Sequence, residues 1–233
     1  MSIKEQQKEL AGFTAGLLRK HFGKGPEAVF VSISEDVVCI YVRDLLTPVE
    51  KVLLEQEEYA MVYDTRDTLM DKCLPELKKE IEKWTGHEYQ HFFYDWDIET
   101  NGGVIVATRE TIIALEQKDS SQQINELVSM ITESIQKLPN TVKTVTLNSR
   151  TLVIYRDGIL VDIEKEIFNL GETEVLRRAK SKLEKQAFRK AFDKESHLLE
   201  GTVQEVFADW EFESDRSIIV VIIDPLKKLN DIG

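Results

Sequence analysis

The sequence predicts an α+β protein made of two tandem copies of one domain, and three observations carry this prediction. The composition is that of an ordinary globular protein, with 42% apolar and 31% charged residues in a chain of 233. The second half of the chain repeats the first at a constant offset of 114 positions. Within each half, helical and strand-like periodicities follow one another in the same order.

The internal repeat is clearest where DWDIET at 95–100 matches DWEFES at 209–214. A single register over about a hundred residues cannot easily arise from composition, which indicates a duplicated domain. We therefore predict one copy over 1–116 and a second, diverged copy over 119–233, able to pack around a pseudo-two-fold axis. Further matched pairs, with no insertion expected, are Val31 with Val145, Ile33 with Leu147 and Ile40 with Ile154.

Each copy is expected to follow the order α-β-β-α-α-β-β, with a four-stranded antiparallel sheet covered by helices on one face. A short helix should begin at Thr47, whose hydroxyl can accept a backbone N–H, with Pro48 in the first helical position and Glu50 reaching back to the cap. The other elements predicted for the first copy are a helix through Leu10, Phe13 and Leu17, a hairpin of strands 29–33 and 37–42, a long helical tract ending at Thr85–Gly86, and a hairpin of strands 89–96 and 104–108.

Two local signals predict interruptions. Pro75 should break or kink the long helical tract, although Arg189 stands at the matching position of the second copy. Asn101–Gly102 predicts a tight hairpin turn, because this dipeptide tolerates positive φ angles.

Charge and composition exclude several classes of partner. Thirty basic residues against 42 acidic ones give a net charge of −12, which has the wrong sign for a protein that binds nucleic acid. No apolar run approaches the roughly 18 residues needed to span a bilayer, and the start of the chain does not look like a secretory signal. Cys39 and Cys73 are too few for a disulfide framework. We expect a cytoplasmic protein without direct membrane insertion.

His87-Glu88-Tyr89-Gln90-His91 matches the zinc-protease pattern His-Glu-x-x-His. That chemistry needs a helix, on which both imidazoles share one face. The segment follows Thr85–Gly86 and is rich in aromatic residues, which favours a strand that separates the imidazoles by about 13 Å. The zinc-hydrolase hypothesis is therefore a remote alternative.

The most repeated polar feature is a row of acidic residues on the third strand of each copy. Alternation puts each set on one strand face running into a turn, where carboxylates could hold a hard cation. The spacing lacks the glycine and glutamate of a calcium loop, and solvated carboxylates explain the row equally well. The weak cation candidates are Asp95, Asp97, Glu99, Asp209, Glu211 and Glu213.

The order and spacing of several short motifs in the first copy resemble the MpsC-like family, named for a sodium-translocating, membrane-potential-generating system of bacteria. These motif positions are Gly25, Pro26, Thr47, Pro48, Glu50, Arg66, Gly86 and Asp95. The second copy keeps Glu164 and Asp209. It departs at Pro139–Asn140, at Val161–Asp162, at Lys180 in the place of Arg66, and at Gly201, one position beyond the place of Gly86.

The resemblance implies a soluble accessory component of a bacterial membrane cation or inorganic-carbon transport system, peripheral through a membrane-protein partner. The favoured hypothesis is a non-enzymatic interaction or regulatory module whose partner is a membrane transport subunit. Capping and an ion pair explain Thr47, Glu50 and Arg66, and partner binding is the alternative for them. The competing hypothesis is a small-ligand or cation-sensing domain with a cleft between the copies. No cofactor is expected, and the chain is expected to be a monomer or a homodimer.

Overall fold

The computed structural model describes residues 2–110 and 119–226 of the chain. The chain divides into two compact units, Met1–Ile112 (unit 1) and Ile113–Gly233 (unit 2). Each unit corresponds to one half of the internal repeat. The predicted end of the first copy, residue 116, lies outside the described residues.

Unit 1 has the predicted order α-β-β-α-α-β-β. Its strands form one antiparallel sheet in the spatial order β1-β2-β4-β3, so the two hairpins meet along the pair β2 and β4. The elements are α1 (Ile3–Phe22), β1 (Ala28–Ile33), β2 (Val37–Arg43), α2 (Pro48–Glu55), α3 (Tyr59–Thr85), β3 (His91–Asp97) and β4 (Gly102–Thr108).

Unit 2 repeats this architecture, with the sheet order β5-β6-β8-β7 and one additional short 3₁₀ turn, Ser196–Leu199. The α+β tandem prediction is therefore confirmed. The elements are α4 (Asp119–Ile135), β5 (Thr141–Asn148), β6 (Thr151–Asp157), α5 (Asp162–Asn169), α6 (Thr173–Lys194), β7 (Gly201–Glu211) and β8 (Arg216–Pro225).

The core of each unit lies between the helices and one face of the sheet. In unit 1, Leu10 and Leu17 of α1 are buried as the helical stripe predicts, against side chains such as Ile40 and Ile105 of the central strands. The corresponding core of unit 2 includes Val128, Ile154, Phe188 and Ile219.

Left-handed backbone recurs at equivalent positions of the two units, which extends the repeat from side chains to the main chain. One partner of most pairs is glycine, which adopts positive φ without a steric penalty. The other partner carries a side chain in a conformation that costs free energy for non-glycine residues. The pairs are Asp44 with Gly158, Glu57 with Gly171, Gly86 with Glu200, and Asn101 with Asp215.

The predicted alignment without insertions is wrong at β5. Ile33 pairs with Val38 in unit 1, whereas Thr146 pairs with Leu152, the equivalent of Val38, in unit 2. Thr146 rather than Leu147 therefore takes the place of Ile33. An irregularity between Thr146 and Asn148 absorbs the additional residue. The same shift runs back along the strand, since Thr144 rather than Val145 pairs with Ile154 as Val31 pairs with Ile40. The predicted match of Val31 with Val145 is therefore wrong as well, because a shift by one residue places the matched side chains on opposite faces of the sheet.

The predicted break at Pro75 is also wrong, because α3 continues through it to Thr85. Cys73 and Leu77 on either side are fully buried, and their packing favours an unbroken helix. Pro75 removes the hydrogen bond to the carbonyl of Asp71, but both residues are exposed and water can solvate that carbonyl.

The turn between β3 and β4 is longer than the predicted two-residue turn. Asp97 pairs with Gly102, so the loop comprises residues 98–101, and Asn101 has positive φ. The β2–α2 loop fixes this conformation, since Asn101 accepts the backbone N–H of Leu46 through Oδ1 and that of Asp44 through its carbonyl oxygen. Contacts distant in sequence therefore set the shape of the turn.

A substitution of Gly103 tests the packing at the centre of unit 1. A Cβ atom at this position would lie 2.1 Å from the Trp96 ring. We predict that Gly103→Ala destabilises the protein by about 1–3 kcal/mol, the usual cost of overpacking. Gly12→Ala, on the exposed side of α1 with no neighbouring atom within 4 Å, should instead stabilise it by up to about 1 kcal/mol. Urea unfolding measures both, and equal stability of Gly103→Ala and wild type would contradict the packing described here.

Candidate functional site

A buried ion pair joins α2 to α3 in unit 1. Arg66 of α3 donates from Nε to Oε1 of Glu50 at 2.6 Å and from Nη2 to Oε2 at 3.3 Å. The two side chains are only 1% and 5% exposed. The guanidinium carbon lies 4.8 Å from the centre of the Trp96 ring, so the pair also connects the two helices to the sheet.

Glu50 has a second role at the start of α2. Its Oε2 accepts the backbone N–H of Thr47 at 2.7 Å, while the Thr47 hydroxyl oxygen accepts the N–H of Glu50 at 3.3 Å. The predicted capping box and the predicted ion pair of Arg66 are both confirmed. Burial by itself would raise the pKa of Glu50, but the hydrogen bonds and charge of Arg66 hold that pKa below its usual value.

Unit 2 keeps this link with different chemistry. Lys180 takes the place of Arg66 and donates to Oε1 of Glu164 at 2.9 Å, with its ammonium 5.4 Å from the centre of the Trp210 ring. Glu164 accepts the backbone N–H of Val161 at 3.0 Å, but valine has no hydroxyl to return the bond. Half of the capping box is therefore retained together with the ion pair.

A larger buried network surrounds the ion pair of unit 2. Glu184 lies between Lys180, at 3.1 Å, and Arg156, with which it forms a close contact, and the side chains of Glu184 and Arg156 are both 0% exposed. Three neutral side chains complete the network. The hydroxyl oxygens of Thr132 and Ser217 accept hydrogen bonds from Arg156, and the side-chain amide of Gln136 donates to Glu184.

The charges of this network balance, since two carboxylates face two cations. Burial by itself would raise the pKa of Glu184, but the charges of Arg156 and Lys180 hold that pKa below its usual value.

At the positions equivalent to Thr132, Gln136, Arg156, Glu184 and Ser217, unit 1 has only apolar residues or glycine. These are Leu18 for Thr132, Phe22 for Gln136, Val42 for Arg156, Met70 for Glu184 and Gly103 for Ser217.

The network around Glu184 was not predicted from the sequence. Its signal is a charged residue within an apolar pattern, namely Arg156 on a strand of buried residues and Glu184 on the buried stripe of α6. Lys, Glu and Arg are almost never fully buried unless they are paired, so two such charges in core positions should be expected to meet.

The remaining family-motif positions lie outside this cluster. Gly86 ends α3 in left-handed backbone, and a Cβ atom at Gly25 would lie 3.0 Å from the Arg19 side chain. Asp95 lies on β3. The pKa of Tyr63 is raised to about 12, chiefly by burial of its side chain and next by the negative charge of Asp95. Pro26 is buried, and Pro48 is the exposed first residue of α2.

The acidic rows do not form a group of ligands. Asp97 accepts the backbone N–H groups of Glu99 and Thr100, and so shapes the turn. In unit 2, Asp209 is paired with Arg177 and Glu211 accepts a hydrogen bond from Ser214, while Glu213 is exposed. Within residues 2–110 and 119–226, no three His, Cys, Asp or Glu side chains are arranged to hold a metal ion.

The zinc-protease pattern does not lie on a helix. Residues 86–90 follow α3 without regular structure, and β3 begins at His91, two residues later than predicted. His91 Nε2 lies 3.0 Å from Oε2 of Glu110.

The two cysteines are not reactive thiols. Burial raises the pKa of the Cys39 thiol to about 12 and that of the Cys73 thiol to about 11, so both thiols stay protonated at neutral pH.

Fold and site together define a duplicated α+β protein in which a buried carboxylate–cation pair holds two helices on each sheet. A family model described as "Na+-translocating membrane potential-generating system (MpsC)" matches residues 2–111 and again 116–225, at the same offset as the internal repeat. The chain belongs to the MpsC family and contains two tandem copies of its domain. No curated protein and no solved structure matches the chain. Among the helices described, none combines the length and the apolar character needed to cross a bilayer.

Removal of the Glu50 charge tests the ion pair of unit 1. We predict that Glu50→Gln costs about 3–5 kcal/mol at pH 7, because it leaves the buried Arg66 charge without a counter-ion. The pKa of Glu50 is lower in the folded than in the unfolded chain, so its stabilisation is complete above the unfolded pKa and is lost as the pH falls through the folded pKa. The difference in unfolding free energy between wild type and Glu50→Gln should therefore shrink in acid.

Urea unfolding at a series of pH values between 7 and 3 measures this difference. The matched control is Glu76→Gln, which removes an exposed carboxylate that pairs with Lys20 and His21. Its effect at pH 7 should be much smaller, since solvent screens an exposed pair. Equal effects of the two substitutions at pH 7 would contradict a stabilising role for the buried pair.

Proposed function

We propose that the chain is a non-enzymatic accessory module of a bacterial membrane cation-transport system, acting as a soluble cytoplasmic protein that binds a membrane subunit. The family description supports the link to a membrane cation system. The ion pairing of the buried charges with one another supports a structural rather than a catalytic use of these side chains.

The observation that carries the proposal is a pair of equivalent helical hairpins with exposed apolar residues. We call residues 48–64 hairpin 1 and residues 162–178 hairpin 2. Val49 is 70% exposed and its equivalent Ile163 is 66% exposed. Met61 and its equivalent Val175 are 51% and 60% exposed. Single exposed apolar residues are common, but the same two positions in both copies indicate a shared use of this surface.

Acidic side chains surround these apolar residues in both hairpins. The exposed basic residue of hairpin 1 is Lys51, and that of hairpin 2 is its equivalent, Lys165, while Arg177 and Arg178 at the end of hairpin 2 are partly exposed. The exposed acidic residues are Glu55, Glu57, Glu58 and Asp64 in hairpin 1, and Asp162, Glu166, Glu172 and Glu174 in hairpin 2. Each hairpin therefore presents apolar anchors within a surface of net negative charge.

This combination is complementary to a basic segment that also carries apolar side chains. Cytoplasmic loops of membrane proteins are enriched in Lys and Arg, so they supply such segments. An anionic membrane surface would instead repel the hairpins and the net charge of −12. The partner that fits best is therefore a basic cytoplasmic loop of a membrane transport subunit, and not the lipid itself.

Affinity purification from detergent-solubilised bacterial membranes tests the proposal. We predict that the tagged chain retains a polytopic cation-transport subunit, and that the double substitution Val49→Glu/Ile163→Glu abolishes its recovery. Met130→Glu is the matched control, because Met130 is 61% exposed on α4, outside both hairpins.

The control variant should recover the subunit as efficiently as wild type, and all variants should keep the wild-type melting temperature, since these side chains are exposed. Recovery should also fall as salt concentration rises, because charge attraction contributes to binding. Absence of any membrane transport subunit would overturn the proposed function. Recovery of the subunit that is insensitive to the double substitution would overturn the role of the hairpins.

A second candidate function, a small-ligand-binding domain, is favoured by one specific observation. Unit 2 contains an open groove of about 480 Å³ between α4 and α6. This volume lies within the range of about 300–1,000 Å³ that is usual for small-molecule sites.

A further inference from the structure

The groove of unit 2 lies between the C-terminal halves of α4 and α6. We call it the α4–α6 groove. Aliphatic side chains make up half of its lining residues, and polar or charged side chains make up the other half. The lining residues are Leu127, Ile131 and Ser134 of α4, and Leu183, Gln186, Ala187, Lys190, Ala191 and Lys194 of α6, with Glu195 after its end.

Small residues of α6 account for much of the open space. Ala187 and Ala191 stand where unit 1 has Cys73 and Leu77. Both unit 1 residues are fully buried, whereas the two alanines remain partly exposed along the groove. Loss of side-chain volume on one helix without compensation on its neighbour leaves space between them.

An ion pair that connects the equivalent helices of unit 1 is also missing from unit 2. Lys20 of α1 donates to both carboxylate oxygens of Glu76 of α3 at 3.0 Å. The equivalent residues are Ser134 and Lys190, which cannot form a salt bridge with each other. Unit 2 therefore lacks the polar contact that crosses this helix pair in unit 1.

Two positions of α6 along the groove carry the opposite charge to their equivalents in unit 1. Lys190 and Lys194 stand where unit 1 has Glu76 and Glu80. The two lysines are one helical turn apart, so their ammonium groups lie on the same face of α6. Together with Glu195, they leave a net charge of +1 beside the aliphatic lining.

We infer that the α4–α6 groove binds the anion of a free long-chain fatty acid. The aliphatic lining suits an unbranched hydrocarbon chain, whose burial is favourable by roughly 0.8 kcal/mol per methylene. Lys190 and Lys194 bind the carboxylate at one side of the groove, with charge-assisted hydrogen bonds. The net charge of +1 matches a monoanionic carboxylate better than the doubly charged head group of a phosphate monoester. This inference is independent of the proposed binding to a membrane subunit, because the groove lies at the end of α6 remote from hairpin 2, and it names a ligand class for the second candidate function, a small-ligand-binding domain.

Titration of the full chain with sodium dodecanoate, below the concentration at which it forms micelles, tests the inference. Isothermal calorimetry should give saturable binding of one dodecanoate per chain. Affinity should fall about fourfold for each methylene removed, so decanoate should bind roughly 15-fold more weakly. Dodecanol, which has the same chain without the charge, should bind at least tenfold more weakly than dodecanoate.

Two substitutions restore features of unit 1 and should weaken binding at least tenfold each. Ala191→Leu fills the groove, and Lys190→Glu reverses the charge beside it. Lys190 is exposed, so its substitution should leave the melting temperature unchanged even if Ala191→Leu perturbs folding. Lys182→Glu, an exposed position on α6 that does not line the groove, is the matched control and should bind as wild type does.

Each other outcome would overturn the inference. These outcomes are no saturable binding of dodecanoate, equal affinity for dodecanol, and affinity that Lys190→Glu leaves unchanged. Binding to vesicles that contain phosphatidylglycerol, without binding to free dodecanoate, would assign the groove to membrane lipid instead. Binding only of an acidic amphipathic peptide would assign it to a protein partner.

Discussion

The structure of each unit depends on how a buried charge between two helices is neutralised. A carboxylate at the start of the shorter helix meets a cation of the longer helix, as Glu50 with Arg66 in unit 1 and Glu164 with Lys180 in unit 2. An unpaired charge in the interior would cost several kcal/mol, so each partner requires the other. The same carboxylate caps its own helix, and the cation lies over a tryptophan of the sheet. The position of each hairpin thus follows from one interaction.

Around this shared link the two copies have diverged in their interiors and in one surface. Unit 2 adds the pair Arg156–Glu184 where unit 1 is apolar, and its α4–α6 groove is open where Lys20 and Glu76 cross unit 1. The exposed apolar positions of the hairpins are kept in both copies. The proposed function rests on the features that both copies share, whereas the open groove belongs to unit 2 alone.

Local sequence signals predicted most of the fold, because the interactions behind them are local. The capping box at Thr47 needs only residues three apart, and the amphipathic stripe of α1 needs only its own periodicity. The predictions were wrong where contacts between residues distant in sequence determine the local structure. Burial of Cys73 and Leu77 favours the continuation of α3 through Pro75. Pairing with β6 sets the register of β5, and hydrogen bonds from the β2–α2 loop set the conformation of the turn at Asn101. The pairing of Arg156 with Glu184 joins residues 28 positions apart, which periodicity cannot reveal.

A double-mutant cycle across the ion pair of unit 1 tests the central claim most directly. Unfolding free energies at pH 7 would be measured for wild type, Glu50→Gln, Arg66→Met and the double variant. A coupling energy of about 2 kcal/mol or more is predicted, with the double variant more stable than the sum of the two single losses implies, because it leaves neither charge buried alone. Additive losses, within about 0.5 kcal/mol, would contradict the claim that this pair holds the hairpin on the sheet.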